Sequence, residues 1–320
     1  MTFFRNCVRR CVPVVLVAAS GCSGTIGTSA ASTSITPAVR ADAYARPWMS
    51  ARGARSNLLY VSDTISSAIF VFTYPELKLT GYLPTGAEPA ALCADKSQNV
   101  WVTLSSGVLL EYAHGATTPF ASLGSPKIEP LNCAVDPRSG DLAVSGYGDR
   151  GGPQLEVYRN ARGRPTLLSP TDGAAACTYD HGGNLYVDGY TEQANLTIAM
   201  LPHRSSKFQY FQTSTPMRFP GNVQWDGKYL AVGDQATNTI YRFDVATSGM
   251  TEVGSLTLDQ SNGIGQFYIY RKRIIAPPSL LETENGGTLS IYSYPSGGTR
   301  VRTMRNMGLP VGAVISLGER

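Results

Sequence analysis

A short apolar segment returns along the chain at nearly constant spacing. It reads Leu59-Tyr-Val-Ser-Asp63, Val100-Trp-Val-Thr-Leu104, Leu142-Ala-Val-Ser-Gly146, Leu185-Tyr-Val-Asp-Gly189, Leu230-Ala-Val-Gly-Asp234 and, less regularly, Ile274-Ile-Ala-Pro-Pro278. Successive starts lie 41, 42, 43, 45 and 44 residues apart. Runs of five apolar residues bounded by polar turns predict strands, and a fixed period predicts repeated supersecondary units.

A second motif precedes most copies: Pro89-Ala-Ala-Leu-Cys-Ala-Asp95, Pro130-Leu-Asn-Cys-Ala-Val-Asp136, Ala174 to Asp180 without the proline, and Pro220-Gly-Asn-Val-Gln-Trp-Asp226. Lys96-Ser-Gln-Asn99 and His181-Gly-Gly-Asn184 follow two of them, and Gly and Asn tolerate the positive φ of a reversal. After each apolar strand comes an aromatic-containing one, such as Ile69 to Tyr74, Leu109 to Tyr112 or Ile240 to Phe243. A less regular fourth follows, as at Leu79 to Leu83 and Phe208 to Gln212. Four strands per period make a propeller blade. Proline, apolar positions and aspartate followed by a turn and Leu-Tyr-Val resemble the repeat of NHL propellers. That resemblance covers about Leu58 to Leu317 and implies an all-β, six-bladed β-propeller of four-stranded antiparallel blades. The chain enters at a second strand near Leu58 and ends on Pro310 to Leu317, which matches a first strand. The C-terminal strand is therefore expected to close the ring against the N-terminal blade, hiding both edges.

The N-terminus reads differently. Arg5, Arg9 and Arg10 precede a short apolar core from Val12 to Ala19, then Ser20-Gly21-Cys22. This resembles a bacterial lipoprotein signal and implies lipidation of Cys22, although Ala19 stands where that family usually has Leu. Residues 1–22 are thus the expected signal, 23–57 a disordered tether rich in Ser, Thr, Ala and Gly, and 58–320 the propeller. The expected location is the cell envelope, anchored to a membrane by lipid; ordinary cleavage would instead give a secreted or periplasmic protein. Loss of the signal removes Cys7 and Cys11, leaving Cys93, Cys133 and Cys177 beyond Cys22. These are expected to be reduced thiols without a disulfide, because strands of separate blades generally stand too far apart to be bridged.

Charge changes the choice of partner. Of 27 Lys and Arg and 23 Asp and Glu, seven Arg and one Asp fall in residues 1–57, leaving 20 basic and 22 acidic residues downstream. A propeller without a basic stripe is not expected to bind nucleic acid. His114, His181 and His203 fall on three separate turns and are not expected to converge on a metal or a nucleophile. The recurrent Asp95, Asp136, Asp180 and Asp226 are read as turn formers.

The candidate site is one mouth of the channel. First-strand starts bring Glu88, Glu129, Asn132, Asn222 and Gln266 toward the axis, and second-strand ends bring Asp63, Asp188 and Asp234 to the same face, with Asp172 nearby. Carboxylate and amide oxygens suit a hard divalent cation. In residue type this set is similar to the gluconolactonase-like propellers, which implies a metal-dependent hydrolase or lactonase as one reading; a lyase resembling virginiamycin B lyase is another. The leading expectation is a non-enzymatic, monomeric propeller without a cofactor, which binds a protein, peptide or glycan. The loops Gly146 to Gln154 and Ser279 to Thr288 are its expected recognition loops.

Overall fold

The computed structural model describes residues 46–320 except 52, 126, 149–151, 171–172, 191–195, 218, 247, 260, 262, 278–286 and 319–320. The expected signal with Cys22, the tether as far as residue 45, Asp172 and most of the second expected recognition loop lie outside the described residues.

Six antiparallel sheets follow one another along the chain. From the axis outward, blade 1 is Pro310–Ser316, Leu58–Asp63, Ala68–Thr73 and Leu79–Pro84. Blade 2 is Pro89–Ala94, Val100–Leu104, Val108–Tyr112 and Ala121–Gly124, and blade 3 is Ile128–Val135, Leu142–Gly148, Pro153–Tyr158 and Thr166–Leu168. Blade 4 is Ala176–Tyr179, Leu185–Tyr190, Leu196–Leu201 and Gln209–Gln212. Blade 5 is Pro220–Trp225, Leu230–Asp234, Thr239–Ala246 and Gly249–Thr257, and blade 6 is Tyr268–Tyr270, Arg273–Ala276, Leu289–Ser293 and Arg300–Met304.

The ring closes as expected. Leu59 pairs with Ile315 and Val61 with Ala313, so the last strand is the innermost strand of the first blade. All seven residues of Pro310–Ser316 are buried. Burying Val311, Val314 and Ile315 contributes about 1.5–3 kcal/mol each. His114 of blade 2 adds a polar latch: Nδ1 lies 2.6 Å from Ser316 Oγ and Nε2 3.1 Å from the Ser56 carbonyl.

Alternation explains where the core lies. Leu59, Val61 and Phe70 pack against Ile275 and Ile291 of blade 6, whereas Leu58, Tyr60 and Ile69 pack against Leu92 and Val102 of blade 2. Each blade is covered on both faces, and apolar clusters occupy the six junctions between blades. A second strand buried on both sides must read as a near-continuous apolar run, the pattern that exposed the repeat.

Three boundaries differ from expectation. Within the expected tether, Trp48–Met49 pairs with Leu79–Pro84 as a fifth strand of blade 1, and Gly53–Arg55 forms a short 3-10 turn. Outer-edge pairing there satisfies backbone groups that composition alone cannot see. The expected recognition loop at 146–154 is mostly hairpin, because the flanking strands run to Gly148 and from Pro153 and the Gly148 amide donates to the Gly152 carbonyl. Finally, Gln266 precedes the short first strand of blade 6.

Candidate functional site

The antiparallel order puts blade-to-blade connections and second-to-third turns on one face, and first-to-second and third-to-fourth turns on the other. The channel-mouth residues belong to the first of these faces.

At the mouth, three amides are consumed by the fold. Asn132 of blade 3 donates through Nδ2 to Asn222 Oδ1 of blade 5 at 3.1 Å and accepts from the Cys177 amide of blade 4. Asn222 donates to the Phe267 carbonyl next to blade 6. Gln266 reaches past blade 1 to Leu92 of blade 2, accepting from its amide at 3.4 Å and donating to its carbonyl at 3.3 Å. A Cβ at Gly312 would stand 2.3 Å from Gln266 Oε1, so this crossing needs glycine on the intervening strand. Asn132, Asn222 and Gln266 thus form a belt that ties non-adjacent blades together. Each of their side-chain oxygens accepts an N–H group of the fold.

The carboxylates behave similarly. Asp63 Oδ1 accepts from the Ser66 amide, Asp188 Oδ1 from Ala176, and Asp234 from Phe219 and Ala236 as well as the Thr237 hydroxyl. All three are fully buried, and Asp63 and Asp188 each keep a second oxygen without a partner. Burial pushes the Asp188 carboxyl up to about 7, against hydrogen bonds that pull it down. Glu88 and Glu129 are exposed side chains. Among the described residues, no three His, Cys, Asp or Glu come together as a metal would require.

The turn aspartates act as expected. Asp95 accepts from the Asn99 amide, Asp180 from Asn184, Asp136 from Arg138, and Asp226 from Lys228 and Tyr229.

The cysteines overturn the expectation of three free thiols. Cys93 and Cys133 form a disulfide between blades 2 and 3, with Cα atoms 5.8 Å apart. Strand alternation explains it. Cys133 and Cys177 share one repeat position and face the same way, so they cannot meet, but Cys93 stands one position later and faces the opposite side. Facing forward from blade 2, it meets Cys133 facing back from blade 3. Only Cys177 remains a thiol among the described residues, and burial pushes it up to about 12.

Next to this disulfide, on the other face of the propeller, a pocket of about 330 Å³ opens between blades 2 and 3. Asp95 and Asn99 come from the first turn of blade 2, Glu111 from the end of its third strand, and Asn160 and Arg162 from blade 3. Trp101, 1% exposed, lines the pocket and its Nε1 has no hydrogen-bond partner; Phe120, 59% exposed, also lines it. Burial, then the Asp95 charge, pushes the Glu111 carboxyl up to about 7 despite opposing contributions from Asn99 and Arg162. This pocket lay outside the sequence reading. Its one legible sign was Glu111 beside Asp95: two acids at positions where blades 3, 4 and 5 pair an aspartate with Val157, Met200 and Arg242.

No family model matches this chain, and no curated protein does either. Solved structures do resemble it. A chain of a nidogen/laminin complex superposes with a TM-score of 0.66 at 12% identity, covering 83% of this chain and 100% of that one. A protein of unknown function from Bacteroides caccae gives 0.61 at 12% identity, covering 82% and 99%. The Cps50 (Swd1) β-propeller domain of Myceliophteria thermophila gives 0.54 at 10% identity, covering 84% and 88%. The likeness is one of fold.

Proposed function

We propose that this protein is an exported, envelope-tethered propeller that binds a protein, peptide or glycan and carries no catalytic centre of its own. The observation that carries this reading is a pocket whose two walls are stapled by the Cys93–Cys133 disulfide. A structural disulfide favours an oxidising compartment outside the cytoplasm, consistent with the signal-like N-terminus. A rigid wall on either side lowers the ordering cost of binding. The solved nidogen/laminin complex, in which a similar propeller fold occurs in a protein–protein assembly, supports a macromolecular partner. The mouth supports the hydrolase reading less well, because its amide oxygens already accept N–H groups.

A photo-cross-linking residue at Phe120, on the pocket, and at Ile65, an exposed residue on the other face, tests this in whole cells. Adducts formed from position 120 and lost on reduction of the disulfide are expected. Adducts confined to position 65, or none from either, would reject the pocket as the binding face. Separately, Cys22→Ser should move the protein from the membrane fraction to the soluble envelope fraction.

A further inference from the structure

The repeat supplies a filled version of the same pocket for comparison. Strand registers align Glu111, opposite Trp101, with Arg242, opposite Ala231. By the same registers Asp95 corresponds to Asp226, Asn99 to Tyr229, and Asn160 of the following blade to Tyr294. Between blades 5 and 6, Arg242 Nε donates to Asp226 Oδ2 at 3.1 Å. Its guanidinium lies 4.9 Å from the Tyr229 ring centre and 5.4 Å from that of Tyr294, whose hydroxyl also donates to Asp226. The guanidinium is thus held between an acid and two rings, as charge and ring quadrupole both favour.

Between blades 2 and 3 the acid is kept and all three occupants are replaced. Glu111 stands for the arginine, Asn99 and Asn160 for the tyrosines, and the vacated space is the pocket. Two carboxylates now share a half-buried site with the indole N–H of Trp101 unpartnered beside them. Like charges held close are relieved by a cation, and a buried donor by an acceptor.

We propose that this pocket binds an arginine of a partner polypeptide, its guanidinium taking the place that Arg242 fills between blades 5 and 6. A peptide carbonyl of the same residue accepts from Trp101, and Phe120 packs on the aliphatic stem. This rests on the binding reading above and names its site and partner chemistry. The groups facing Glu111 are Asp95, Asn99 and Arg162, with Lys96 and Asp136 on the same walls. Arg162 and Lys96 set a basic rim that disfavours an isolated, weakly bound cation and selects one that also satisfies the indole.

The test uses the full chain with its disulfide intact, titrated calorimetrically with N-acetyl-arginine methylamide. The citrulline equivalent keeps the shape without the charge, and agmatine keeps the guanidinium without the peptide carbonyls. Saturable binding of the arginine compound is expected, about tenfold or more weaker for the other two. Affinity should fall as pH drops from about 8 to about 6 and Glu111 protonates, because arginine itself stays charged. Glu111→Arg, which supplies the missing cation from within, should abolish binding, and Asp95→Asn should weaken it about tenfold. Equal binding of the citrulline compound, or arginine binding untouched by both variants, overturns the proposal. Agmatine binding as tightly as the peptide assigns the pocket to free guanidinium compounds and overturns the polypeptide source. Should cross-links from position 120 persist unchanged in Glu111→Arg, the wider binding reading stands and this one falls.

Discussion

The junctions between blades 2 and 3 and between blades 5 and 6 are built at equivalent repeat positions and solve the same packing problem in opposite ways. Where blade 5 meets blade 6, an ion pair and two tyrosines fill the space, and Gln224 holds the next blade through its side-chain amide. Where blade 2 meets blade 3, Cys93 stands at the Gln224 position and the tie is covalent. The filled junction is stabilised by its own contents. The open one is held by a bond beneath it, and its space is left unfilled. A repeat tolerates such divergence because each junction is nearly independent of the others.

The largest expected effect comes from the staple. Cys93→Ala with Cys133→Ala should destabilise the protein by about 2–5 kcal/mol, read by denaturant unfolding. Thiol counting under denaturing conditions should find neither Cys93 nor Cys133 reactive until a reductant is added. If both react at once, the contrast between the junctions disappears.

Breaking the filled junction comes next. Arg242→Ala leaves Asp226 4% exposed without its cation and should cost about 1–3 kcal/mol near neutral pH. Burial alone would raise the Asp226 carboxyl, but hydrogen bonds from Tyr294, the Tyr229 and Lys228 amides and Arg242 hold it below its ordinary value. Its contribution is therefore present above the unfolded value and is lost as pH falls through the folded one. The gap between wild type and Arg242→Ala should shrink in acid; a gap independent of pH would refute the ion pair as its source.

Glu111 predicts the opposite slope. Its folded value, about 7, lies above the unfolded one. Its contribution is thus greatest below the unfolded value and declines as pH rises toward 7. Glu111→Gln should match wild type at pH 4 and exceed it at pH 8 by up to about 1 kcal/mol, a figure discounted for solvent screening in a half-open site. Equal stability at both pH values would show that neither burial nor the Asp95 charge raises the Glu111 carboxyl.

The smallest effect is expected from filling the pocket. Asn99→Tyr with Asn160→Tyr should raise the melting temperature by only about 1–3 °C, since new aromatic contact is offset by ordering two large side chains. A marked loss would mean the two sites differ in backbone as well as in side chains.

Blade count, strand order, ring closure through Pro310 to Ser316 and the turn role of Asp95, Asp136, Asp180 and Asp226 were all legible in the sequence. Each depends on a period of two along a strand, a period near 43 along the chain, or a hydrogen bond within a few residues. The fates of Asn132, Asn222 and Gln266 were not legible, because their partners lie one or two blades away and the residue types are equally those of a cation site. Nor was the pocket, which exists through what Glu111, Asn99 and Asn160 fail to fill. The disulfide stands between the two cases. The offset of Cys93 from Cys133 is written in the repeat, and alternation turns that offset into opposed faces. Whether opposed faces come within bonding distance depends on the separation of neighbouring blades, which is set by side chains packed from both sides of each junction. That separation is a property of the assembled ring, and no single repeat contains it.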